Sequence, residues 1–143
     1  MMYFTINELT HSDTAIALGI DNKPNEEIKS HLVQLINELL DPLREAWGSA
    51  IKVTSGYRCA RLNRALKGSS PTSAHLIGYA ADLVPSNGDI TEFKKFTVKW
   101  LKENNIAFDQ AICETNGKGV QWLHLGLFNL AMKQRKQILN LNV

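Results

Sequence analysis

The chain has 143 residues, 44% of them apolar and 21% charged, a balance that excludes a low-complexity or disordered chain for its bulk. Sixteen Lys and Arg against fourteen Asp and Glu leave a net charge of +2, too mild for a nucleic-acid footprint. No apolar stretch approaches the roughly 18 residues of a membrane span. Met1 to Thr5 shows no basic segment leading into an apolar core, so no secretory signal is expected.

One domain over 1–143 is expected, large enough to bury roughly 70% of the unfolded chain's surface. Residues 1–24 read as an irregular lead-in with one short helix and a break at Asn22-Lys23-Pro24. Asn25 is a good N-cap, with Glu26 and Glu27 in the first turn. Ile28, Leu32, Leu35, Ile36, Leu39, Leu40 and Leu43 follow at helical spacing. Pro42 should kink that helix or restart it at Asp41, and Trp47-Gly48 should end it.

Ile51 to Thr54 alternates as a strand and Ser55 to Arg58 turns away from it. Cys59 to Leu66 suits a helix with Leu62 and Leu66 inward, and Lys67 to Ser73 is a polar loop. Tyr79 to Val84 reads as a strand. Thr91 is expected to cap a second amphipathic helix carrying Phe93, Phe96, Val98, Trp100 and Leu101. Ala111 to Glu114 and Trp122 to Leu127 flank a turn at Thr115 to Gly119, a hairpin. Residues 129–143 are expected to form a short helix or a loose tail. The sum is α+β, a small mainly antiparallel sheet with flanking helices. Cys59 and Cys113, too few for a disulfide framework, are expected to be free thiols.

Chemistry concentrates between Ser55 and Asp82 and at Trp122-Leu123-His124. Alternation puts Ala80, Asp82 and Val84 on one strand face, and Trp122, His124 and Gly126 on one face of another. An aspartate among alanines is costly unless paired or bound to a metal. With His75, these residues form the two-imidazole, one-carboxylate set of a catalytic zinc site. Hydrogen-bonded core histidines with a salt-bridged aspartate would leave the same trace.

Ser55-Gly56-Tyr57-Arg58, Asn63, Ser73-x-His75-x-x-Gly78-x-Ala80-x-Asp82 and Trp122-x-His124 together resemble the zinc D-alanyl-D-alanine carboxypeptidase family. That family also includes peptidoglycan endopeptidases and phage endolysins. The resemblance spans about residues 50–127, and the lead-in with its long helix is similar to the carboxypeptidase-like subgroup. It implies a DD-carboxypeptidase/hedgehog-like fold, Zn2+ held by His75, Asp82 and His124, and peptidoglycan stem peptides as substrate. It also implies that Arg58 grips a substrate carboxylate or polarises the scissile carbonyl. Arginine suits either task because its fork binds bidentately.

The pattern departs at one place. Branches of the family carry a glutamate three residues before the last histidine, and here that position is Gln121, which cannot take a proton. Glu114 is the best substitute if it pairs with Trp122 across the hairpin, and Asp109 is a second candidate. Gln110 falls on the same alternation as Ile112 and Glu114 and suits a hydrogen bond in the site. Ser73 suits a bond to its own loop or to substrate. Trp122 either lines the cleft or shields the metal, and His11 and His31 read as structural. A monomer made in the cytoplasm is expected, and a phage-encoded lysin would then be released to the wall. The missing acid leaves a second reading, a zinc-containing module that binds peptidoglycan or a partner without cutting.

Overall fold

The structure is a computed structural model and describes residues 1–140; residues 141–143 of the expected tail lie outside the described residues. Two short helices, not one, make the lead-in: α1 (Ile6–Thr10) and α2 (Asp13–Leu18). Thr5 and Glu8 form a reciprocal capping box on the first, and the Ser12 hydroxyl accepts from the Ala15 amide on the second. The long helix runs as α3 (Glu26–Leu35), a π-helical turn (Ile36–Leu40) and α4 (Asp41–Trp47). Pro42 has no N–H to give the carbonyl four residues back, and the wider turn precedes it, the Asp41 amide reaching Ile36 O. The expected restart at Asp41 is therefore present. Leu32, Leu35, Ile36, Leu39, Leu40 and Leu43 are all buried.

The remaining elements are β1 (Ile51–Ser55), α5 (Ala60–Ala65), a 3-10 turn (Ala74–Ile77), β2 (Ala80–Pro85), α6 (Ile90–Glu103), β3 (Gln110–Thr115), β4 (Gln121–Gly126) and β5 (Gln137–Leu139). The sheet order is β1-β2-β4-β3-β5, antiparallel throughout except that β5 runs parallel to β3. The fold class is thus α+β, with a mostly antiparallel sheet and flanking helices. One face of the sheet carries Ala81, Leu83, Ala111, Leu123 and Leu125 into the core, where the long helix and Phe93 and Leu101 of α6 meet them. The other face is free to carry polar groups.

Four expectations need correction. Asp89, not Thr91, caps α6: its carboxylate accepts from the Glu92 amide. Leu66 ends α5 half-buried on a cleft wall instead of in the core. The lead-in holds the second short helix described above. The C-terminal stretch forms no helix within the described residues; it pairs as β5, Gln110 opposite Gln137 and Ala111 opposite Ile138. Among the described residues both cysteines are free, and no helix is long and apolar enough to cross a membrane.

Candidate active site

Strand register builds the site. Asp82 on β2 pairs directly with His124 on β4, and Ile112 on β3 pairs with His124 from the other side. Both strands turn their leucines to the core, so Asp82 and His124 share the opposite face. His75 reaches the same point from the 3-10 turn. Gly78, at φ +79°, closes that turn in the left-handed region and lets the chain enter β2.

The three side chains meet closely. His75 Nε2 lies 3.1 Å from Asp82 Oδ1 and 3.2 Å from His124 Nδ1, and His124 Nδ1 lies 3.2 Å from Asp82 Oδ1. All three residues are buried. Burial by itself would raise the Asp82 carboxyl; in the metal-free site the two imidazoles, whenever they carry the protons that bridge to Asp82, outweigh it and hold the group well below the ordinary carboxylate range.

His75 Nδ1 donates to Gly56 O at 2.7 Å, since a carbonyl can only accept. That bond fixes a tautomer whose Nε2 lone pair points at the other two ligand atoms. Converging lone pairs at 3.1–3.2 Å repel unless protons or a cation lie between them. Four-coordinate zinc with bonds near 2.05 Å sets its ligand atoms about 3.3 Å apart. The donor set, its spacing and the locked tautomer all fit zinc.

Gly56 is also where the lead-in meets the site. The Tyr57 amide donates to Leu9 O at 2.6 Å, and a Cβ on Gly56 would stand 2.8 Å from the Leu9 carbonyl carbon and Cα. Gly56→Ala is therefore expected to destabilise the fold by about 2 kcal/mol or more, because both sides of the clash are backbone. A urea titration reads it as a lower midpoint with unchanged slope.

Around the cluster runs a cleft of about 1230 Å³. Arg58 lies in it, mostly buried, donating to Ser55 Oγ at 3.4 Å and to Ser73 Oγ at 3.3 Å. Burial lowers its guanidinium pKa, and Asp82 and Glu114 pull it partly back. Ser73 Oγ also accepts from the His75 amide, so Ser73 ties its own loop to Arg58. Glu114 pairs with Trp122 in the register on which its candidacy depends, and its Oε1 stands 3.6 Å from His124 Nδ1. Its side chain is 41% exposed, open to the cleft. Gln121 falls on the opposite face of β4 from His124 and accepts from Lys94 Nζ. Trp122 lines the cleft, and both its indole N–H and Arg58 Nε are buried without a partner among the described residues.

Other candidates are spoken for. Asp109 is corrected from a candidate base to a buried partner of Arg135, which takes both its oxygens. Gln110 lines the cleft but donates its amide to Gln137 at 2.9 Å. His31 stacks on Tyr79 and donates to Ile77 O; His11 pairs with Asp13 at the rim. Neither joins the cluster. Ser55 and Gly56 stand in the motif read from the sequence, but the roles of the Ser55 hydroxyl on Arg58 and of the Gly56 carbonyl on His75 went unread. The capping box Thr5-x-x-Glu8, which helps seat the lead-in beside the cleft, was readable.

Three convergent donors at the floor of a cleft, on the polar face of a mostly antiparallel sheet, make a site that could hold a metal ion. The family model described as Peptidase M15 matches residues 2–116, and the chain belongs to this family of zinc-dependent peptidases. The match takes in Arg58, His75, Asp82 and Glu114 and stops before His124, whose place in the cluster rests on the β2–β4 register. Comparison with curated proteins returns no match.

Proposed function

We propose that this chain cleaves peptide bonds in the stems of bacterial peptidoglycan, with His75, Asp82 and His124 holding zinc, Glu114 as proton carrier and Arg58 as substrate-binding group. The observation that carries the reading is Glu114 Oε1 at 3.6 Å from His124 Nδ1, beside three mutually close metal donors. Zinc, when bound, supplies a Lewis acid that polarises a carbonyl and acidifies water.

The chain's own groups do the rest. Glu114 takes the proton of the attacking water and returns it to the leaving amine. Arg58 presents its fork to the carbonyl or to a terminal carboxylate, in a mostly buried setting where such bonds are strong. Ser73 keeps Arg58 in place through its hydroxyl. A module that binds without cutting was suggested by Gln121 alone; Glu114 supplies the proton acceptor that position lacks, which favours the peptidase.

The test is digestion of purified stem peptides with added zinc. Cleavage is expected in the parent chain and in His11→Ala, and is expected to vanish in His124→Ala and under a chelator. Released D-alanine marks a carboxypeptidase and larger fragments an endopeptidase. Binding without cleavage of any stem would overturn the proposal in favour of the silent module.

A further inference from the structure

The notable charged pair outside the metal cluster is Asp109 with Arg135. Asp109 is 1% exposed and on the core-facing alternation of its strand end. Both its oxygens are taken by one guanidinium: Arg135 Nε donates to Oδ1 at 2.7 Å and Nη2 to Oδ2 at 2.8 Å. The Arg135 amide adds a third bond to Oδ1 at 3.1 Å. The neighbouring backbone is fixed too, with Lys136 N on Phe108 O and Gln137 N on Asp109 O. Arg135 is therefore held rigidly from behind.

Its front is different. The Arg135 side chain is 40% exposed and lines the same cleft as the metal cluster. Two of its five N–H groups serve Asp109, and the remaining three have no hydrogen-bond partner among the described residues. A loop anchor needs only the bonded edge. A second edge aimed into a substrate cleft, with its rotamer already fixed, is suited to grip a planar anion without further ordering cost. Asp109 reduces the charge of the pair, so the grip relies on the geometry of the fork more than on long-range attraction.

Position defines which anion. Asp109 lies three residues from Ile112, the partner of His124, so at about 3.4 Å per residue Arg135 meets the sheet about 10 Å along the strand from the metal level, and one to two strand spacings of about 4.8 Å to its side. An extended peptide covers the resulting span of about 12 Å in about three to four residues. Arg58 stands beside the cluster itself and serves the reacting end.

On the proposed peptidase reading, we infer that Arg135, braced by Asp109, is a specificity-determining residue that binds a second substrate carboxylate about three residues from the scissile bond. A stem peptide whose glutamate is linked through its γ-carboxyl offers such a group, its free α-carboxylate.

Calorimetric titration tests it with two synthetic probes, L-Ala–γ-D-Glu–L-Lys–D-Ala–D-Ala and the same peptide with that α-carboxylate amidated. Both are titrated into the zinc-loaded Glu114→Gln chain, so that binding is read rather than turnover. The acid is expected to bind about tenfold tighter than the amide, the worth of one charge-assisted contact. Adding Asp109→Asn with Arg135→Gln, a neutral pair that leaves no buried charge alone, is expected to remove that preference by weakening the acid only. Arg135→Lys keeps the charge, loses the fork and should lose most of the preference; it carries the test if the double change fails to fold. Equal binding of the two probes to the zinc-loaded Glu114→Gln chain overturns the inference. So does an equal loss for both in the variants, which marks Arg135 as an anchor alone. A parent chain that discriminates the probes but cuts neither would overturn the peptidase reading and leave this assignment standing.

Discussion

Glu114→Gln is expected to bind one zinc as before and to lose hydrolysis by about 10²–10⁴-fold, the usual contribution of a positioned acid–base group. The substitution keeps the shape of the side chain and removes only its ability to take a proton. Glu114 stands opposite Trp122 in the β3–β4 ladder, so the change leaves strand pairing and the core face untouched. Its side chain is 41% exposed, which spares the fold any buried unpaired group. The measurements are turnover on a stem peptide and zinc content on the same sample. Unchanged turnover would remove Glu114 from the mechanism. Lost zinc would make it a ligand instead.

His75→Ala is expected to have the larger effect, on the order of 10³-fold or more in activity together with loss of stoichiometric zinc. His75 acts at two levels. Its Nε2 is one of three converging donors, and its Nδ1 bonds Gly56 O, which ties the 3-10 turn to the end of β1. Its own carbonyl accepts from the Arg58 amide, so the substrate-binding arginine hangs from the same residue. Removal leaves Asp82 with a single imidazole in a buried site. His75→Gln restores neither the ring nor the locked tautomer and should behave like alanine for zinc. Elemental analysis and stem-peptide turnover read both effects.

Much of this site was legible because strand alternation is strict. Leucines at 83, 123 and 125 and alanines at 81 and 111 leave little choice of face, and the Asn116 to Gly119 turn sets the register that places Glu114 by His124. The long helix was equally readable from its leucine spacing, including the irregularity before Pro42. What was missed depends on partners far along the chain. Asp109 and Arg135 are 26 residues apart, and neither has a local pattern that announces the other. β5 has three residues, too few for alternation to be recognised, and it is a strand only because β3 offers it an edge. The acceptor that orients His75 is a glycine carbonyl, which no side-chain pattern encodes.

The most direct test of a zinc centre at His75, Asp82 and His124 is anomalous diffraction from crystals grown with zinc, recorded on both sides of the zinc absorption edge. The account predicts one strong peak about 2.0–2.2 Å from His75 Nε2, Asp82 Oδ1 and His124 Nδ1. Those three side chains bonded only to one another, with no anomalous density between them, would contradict it.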